Sequence, residues 1–247
     1  MSEQMVYRFS QGSAEMKSLL GGKGANLSEM TRIGLPVPPG FVITTEACNK
    51  YFAEGRKIWP ELKKEILNEL EQLEKLTGRS FGGENPLLLS VRSGAVLSMP
   101  GMMDTILNLG LNRQTMDYLA SEASDRRFAL DCYRRFIQMF GDVVMQVNHD
   151  LFEEVLAGAR QRRGVESDAA LTEEDLDEIV TRFLDIVRQE TGKEFPVDPR
   201  EQLFMAVEAV FNSWNTPRAI VLPGSNKTHA HLGSAGQGDG MAFRHSR

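Results

Sequence analysis

Gly34-Leu35-Pro36-Val37-Pro38-Pro39-Gly40-Phe41-Val42-Ile43-Thr44-Thr45 is the stretch on which the reading of the fold rests. Three prolines in four positions cannot continue a helix, so the chain must turn there. Phe41 to Thr45 is rich in β-branched and aromatic side chains and predicts a strand. A helix is expected to follow over Thr45 to Ala53. Upstream, Ala25, Leu27, Met30 and Ile33 suit a short helix over Gly21 to Ile33, set off by the Gly21-Gly22-Lys23-Gly24 turn and ended by Gly34. Strands and short helices in alternation, punctuated by Gly and Pro, make the first hundred residues α+β.

Further along, Leu62, Ile66, Leu70 and Leu73 recur at three- and four-residue steps among charged residues, which predicts an amphipathic helix over Glu61 to Leu76. Leu87 to Val91 is a continuous apolar run between Pro86 and Gly94 and reads as a strand buried on both faces, with Arg92 at its end. From Asp125 to Trp214 the texture becomes helical. Phe128, Tyr133, Phe136, Ile137 and Phe140 form one stripe; Leu176, Ile179, Val180, Phe183 and Val187 form another. Leu203 to Trp214 gives a last helix, stopped by Pro217. Ala219 to Leu222 can begin a return strand. Residues 223–247 hold five glycines with Ser, His and Arg and few large apolar residues, and little structure is expected of them.

The 247 residues are 41% hydrophobic, enough for a substantial core. Thirty-four acidic against 28 basic residues leave a formal charge of -6, which repels polyanions and argues against nucleic acid or membrane surfaces as partners. Cys48 and Cys132 stand far apart and suggest neither a disulfide framework nor a zinc site. No apolar run approaches the roughly 20 residues of a membrane helix, and the expected location is the cytoplasm.

Gly21-Gly22-Lys23-Gly24 can hold a phosphate: glycines let the backbone approach an anion, a following helix offers N–H groups, and the lysine adds charge. It matches neither the P-loop nor the dinucleotide fingerprint, and a plain turn with a surface lysine is the competing reading. Arg92 at the end of a buried strand needs an acceptor, whether phosphate or a structural carboxylate. Leu97-Ser-Met-Pro-Gly-Met-Met-Asp-Thr105 is an apolar, adaptable loop suited to closing over a flat ring or a phosphate chain, while composition favours a turn packed on the core. Arg126-Arg127 and Arg134-Arg135 lie among aromatics on a predicted helix and by default line its wet face. His149 beside Asp150 is better explained by helix capping from Asn148 or Asp150 than by acid–base pairing. His229-Ala230-His231 lacks a third ligand for a metal, and incidental tail histidines are the simpler reading.

Together, Leu20 to Leu27, Gly34 to Thr45, Ser90-Val-Arg-Ser-Gly94, Met99 to Leu111 and Phe211 to Val221 closely resemble the amino-terminal nucleotide-binding domain of pyruvate phosphate dikinases, over roughly residues 5 to 221. The resemblance implies the first lobe of an ATP-grasp domain carrying a largely helical insertion. Residues 1–122 would form the α+β subdomain, 123–200 the insertion, 201–222 a return to the subdomain, and 223–247 a divergent tail. It also implies that Lys23 and Arg92 contact the ATP phosphates, that Gly101, Met102 and Met103 lie near the nucleotide, and that Arg135 is a weaker phosphate contact.

In that family ATP phosphorylates a histidine on a swivelling domain, which passes the group to pyruvate. The implied cofactors are therefore ATP and Mg²⁺, with the Mg²⁺ ligands expected in a second lobe. No catalytic residue and no metal ligand is nominated within these residues. Separately encoded phosphohistidine and pyruvate-binding domains are implied partners, and an uncovered lobe face would favour self-association. The texture after Pro223 suggests a truncated or frameshifted product. Two readings follow: the ATP-binding part of a dikinase, inactive alone, or a non-catalytic remnant with weak or no nucleotide affinity.

Overall fold

The computed structural model describes residues 4–93, 105–213 and, for the backbone, 230–234. It divides into two units. The first comprises residues 1–79, 87–105 and 204–247, and the second comprises 80–86 and 106–203.

The first unit is a sheet with helices on both faces. Its strands are β1 (Val6–Arg8), β2 (Gly40–Ile43), β3 (Leu89–Ser93) and β5 (Ala230–Ser234), and its helices include α1 (Lys17–Arg32), α2 (Thr45–Ala53) and α3 (Pro60–Thr77). Within this unit the strand order is β1-β2-β5-β3, and the β1–β2, β2–β5 and β5–β3 pairs are antiparallel. β2 begins one residue before the predicted strand, and α2 spans the residues expected of it. The Thr44 side chain starts α2 by accepting from the Ala47 N–H at 3.2 Å.

Helix α3 has Pro60 at its first position and ends on Gly78 at φ 65°, a left-handed cap that glycine takes without strain. Its four predicted core residues, Leu62, Ile66, Leu70 and Leu73, are all buried. Strand β3 starts two residues later than predicted, so Arg92 lies inside it rather than past its end. The free edge of β1 is closed by side chains: Glu65 accepts from the Met5 and Val6 N–H groups, and Gln4 donates to the Val6 carbonyl. An edge strand satisfied in this way offers no template to another chain.

Strand β5 belongs to the stretch in which little structure is expected. Its backbone nonetheless pairs on both sides, with Gly40 to Ile43 of β2 and with Leu89 to Ser93 of β3. The expected return strand at Ala219 to Leu222 lies outside the described residues.

The second unit is helical: α4 (Arg113–Ala123), α5 (Arg126–Val143), α6 (His149–Arg163) and α7 (Glu173–Thr191), with α5 packed on both α4 and α7. Each helix begins on a polar cap: Asn112, Asp125, Asn148 and Thr172 in turn. The predicted stripes, apart from the half-buried Phe128, lie in the core, and two residues from outside them join it: Phe195 meets Phe136 and Phe140 edge-on, and Phe152 stands 4.8 Å from Phe183. Gln202, fully buried, accepts from the Gly110 N–H and donates to the Leu111 and Pro196 carbonyls.

Strand β4 (Thr105–Leu109) carries the chain into this unit, and α8 (Pro199–Asn212) carries it out. The last turn of α8 joins the first unit's core, with Phe211 5.0 Å from the Tyr51 ring and Asn212 donating to the Tyr51 hydroxyl at 3.1 Å.

Candidate functional site

Helix α1 does not run straight. Gly21 takes φ 75° and ψ 174°, a conformation closed to side-chain-bearing residues, and breaks the helix into 17–20 and 22–32. The carbonyl of Ser18, one turn before Gly22, accepts from the Thr45 hydroxyl at 3.1 Å. Lys23 therefore stands in the first turn of a restarted helix, where backbone N–H groups lack carbonyls one turn back. The Gly-Gly-Lys-Gly segment is thus a break inside a longer helix rather than a turn ahead of a short one. Lys23 is half-buried and has no ion pair among the described residues.

The break is pinned over the sheet by Gly24, where an added Cβ would come within 3.1 Å of both γ-carbons of Val42 on β2. Val42 joins Phe9, Leu20 and Ala25 in one buried cluster, with Tyr7 and Leu27 against it. This face of the sheet is therefore the one that α1 covers.

Register carries that face to Arg92. Val42 pairs with His231 of β5, and His231 pairs with Arg92 of β3. Residues directly opposite in antiparallel strands share a face, so the register carried through the β5 backbone puts Tyr7, Val42 and Arg92 on the same face of the sheet. Neighbouring strands lie about 4.8 Å apart, which puts Arg92 roughly 10 Å along the sheet from Val42. The geometry thus sets two sequence-predicted cations, Lys23 and Arg92, on one side of one sheet. Arg92 is half-buried and engaged within the protein. Gly101, Met102 and Met103 lie outside the described residues.

Arg135 belongs to the second unit, exposed on α5 and paired through Nε with Asp131 at 2.9 Å. The other three arginines of that stretch are also committed. Arg126 pairs with Asp117 and Glu173, and Arg127 donates to the Asp168, Ala169 and Leu171 carbonyls. Arg134 is 4% exposed beside Asp131 and Asp168. The expectation that these arginines line a wet face thus fails for Arg134, whose charge is compensated inside the unit. His149 faces Asp142, at 3.1 Å, and Asn148 caps α6 by accepting from the Asp150 N–H.

Two clefts flank α3. One, of about 290 Å³, is lined by Gln4, Val6, Glu65, Asn68 and Glu69; the other includes Phe41, Leu73 and Leu76. Neither contains a predicted site residue. Burial raises the Glu69 carboxyl above its ordinary value, against the lowering pull of Arg8 at 3.1 Å. Among the described residues, no three or more His, Cys, Asp or Glu gather into a group that could hold a metal ion. Nor is any helix among them long and apolar enough to cross a membrane.

Comparison with known proteins gives a consistent result. A model described as "Pyruvate phosphate dikinase, AMP/ATP-binding domain" matches residues 17–77 and 56–231. The chain is 48% identical over 240 residues to pyruvate, phosphate dikinase of Clostridium symbiosum, covering 96% of this chain and 28% of that protein. It is 50% identical to the Rhizobium meliloti (strain 1021) enzyme over 96% of the chain and 26% of that protein. It is 53% identical to the chloroplastic enzyme of Flaveria pringlei over 85% of the chain and 22% of that protein. The chain thus spans about a quarter of the length of these relatives, and the similarity passes residue 221, where the sequence motifs alone set its limit.

Proposed function

The chain belongs to the family of the pyruvate phosphate dikinase AMP/ATP-binding domain, and on that premise we propose that it binds ATP, with the polyphosphate lying along the α1-covered face of the sheet. The observation that carries this reading is the break at Gly21, which puts Lys23 and a fresh helix start on the face that also holds Arg92. Helix-start N–H groups and two cations neutralise phosphate charge, the main task of a protein that handles phosphoryl transfer. Gly101, Met102 and Met103 are proposed to lie against the nucleotide. Arg135, held by Asp131, serves the surface of the helical unit instead.

The wider activity is a further part of the proposal. ATP bound here phosphorylates a histidine on another domain, and that phosphohistidine converts pyruvate to phosphoenolpyruvate. Mg²⁺ ligands are assigned, on the family resemblance, to a second lobe. The chain by itself is expected to give no net turnover.

Calorimetric titration with ATP tests the reading. Micromolar binding by the wild type, weakened at least tenfold in both Lys23→Ala and Arg92→Ala, is the expected outcome. Absence of binding by the folded wild-type chain, or variants that bind as tightly as it does, would overturn the proposal.

A further inference from the structure

We infer that Thr45 is a positioning residue of the phosphate site, acting through the Lys23 turn, an inference that rests on the proposed ATP binding. Two adjacent threonines lead from β2 into α2, and their hydroxyls do different things. Thr44 caps α2 by accepting from the Ala47 N–H. Thr45, the first residue of α2 and 3% exposed, sends its hydroxyl out of its own helix to the Ser18 carbonyl of α1, at 3.1 Å.

Ser18 belongs to the short first segment of α1, just before the break at Gly21. Helix carbonyls point toward the C-terminal end, so a donor on this carbonyl sits on the side of the segment that faces the break. Beyond the break, Gly24 packs on Val42 of β2. Val42 and Thr45 lie in one short passage from β2 into α2, so the same stretch of chain grips α1 on both sides of Gly21. Gly12 also touches both segments: a Cβ there would stand 2.5 Å from Leu20 Cδ1 and 2.6 Å from Ser28 Oγ. A glycine imposes no backbone angle of its own, so the angle between the segments is set by these outside holds. Packing sets distance, whereas the Thr45 bond adds direction. Removing that hydroxyl relaxes the angle at Gly21 and with it the place of Lys23.

Variants of the full chain separate this role from plain support of the fold. Thr45→Val keeps size and branching and removes the donor; Thr45→Ser keeps the donor and loses a methyl group. Titration with ATP is expected to show affinity about fivefold lower for Thr45→Val and near the wild-type value for Thr45→Ser. In a Lys23→Ala background, Thr45→Val is expected to change affinity little, because both substitutions act on one contact. Amide hydrogen exchange at Lys23 and Gly24 should quicken in Thr45→Val and not in Thr45→Ser. Wild-type affinity or exchange in Thr45→Val, equal effects of the two substitutions, or the same loss from Thr45→Val with and without Lys23 would overturn the inference while leaving ATP binding by the wild type intact. A wild type that binds no ATP would instead remove the reading on which the inference rests, and the inference with it.

Discussion

Gly24 of α1 lies against Val42 of β2 so closely that a methyl group at position 24 would stand 3.1 Å from both γ-carbons of the valine. That contact sets the height of the Lys23 turn above the sheet. Gly24→Leu introduces a good helix former and cannot fail through propensity, yet it must lift α1 or displace Val42. A loss of about 1–3 kcal/mol is expected from overpacking, read from urea unfolding, with weaker ATP binding. Unchanged stability would mean that α1 is not seated as described.

Gly21 is the backbone hinge of the same device. At φ 75° and ψ 174° an alanine is strained, so Gly21→Ala should cost about 1–3 kcal/mol. The variant can relieve that strain by straightening α1, which carries Lys23 away from its present place. ATP affinity should therefore fall at least as far as in Lys23→Ala, by titration under identical conditions.

The paired helical residues were legible in the sequence because helix packing repeats locally: Leu62, Ile66, Leu70 and Leu73 announce one face within a single window. Strand β5 was not legible, since Ala230–Ser234 contains one large apolar residue and is held by backbone pairing with distant strands. The candidate cations could be nominated singly from residue type and from resemblance. That Lys23 and Arg92 share a face depends on register through β5, which no local pattern encodes. The burial of Arg134 escaped for the same reason, because Asp168 comes from 34 residues away.

Gln202 holds three backbone groups from two separate turns of the helical unit. Gln202→Leu is similar in size but leaves the Gly110 N–H and the carbonyls of Leu111 and Pro196 without that partner. Removing hydrogen bonds at a fully buried site should lower stability by about 2–4 kcal/mol, measured by chemical unfolding. A neutral result would mean that water replaces the side chain.

Asp175 links α7 to α6, accepting from Arg163 and from the Thr172 N–H, and these contacts lower its carboxyl from 3.8 to about 2. A folded value below the unfolded one stabilises the protein above the unfolded pKa and loses that contribution as the pH falls toward the folded value. Asp175→Asn should melt below the wild type at pH 7, and the gap should narrow between about pH 4 and pH 2. A constant gap across that window would contradict the assignment.

Burial pushes both thiols up, Cys48 to about 12 and Cys132 to about 12. Since the thiolate is the reactive form, Ellman's reagent at pH 8 should modify the native protein slowly and the unfolded protein at once. Rapid stoichiometric modification of the native chain would show that one of these sites opens readily.

The place of β5 between β2 and β3 also governs when the protein can be assembled. A ribosome releases β2 roughly 190 residues before its partner Gly233 emerges, and β3 roughly 140 residues before. Through that interval the two strands wait with their facing edges unsatisfied, so sheet closure must come late in synthesis or after it. Such long-range pairing slows folding and leaves nascent chains vulnerable to association through those edges. The helical unit, complete by Leu203, is free to form in the meantime.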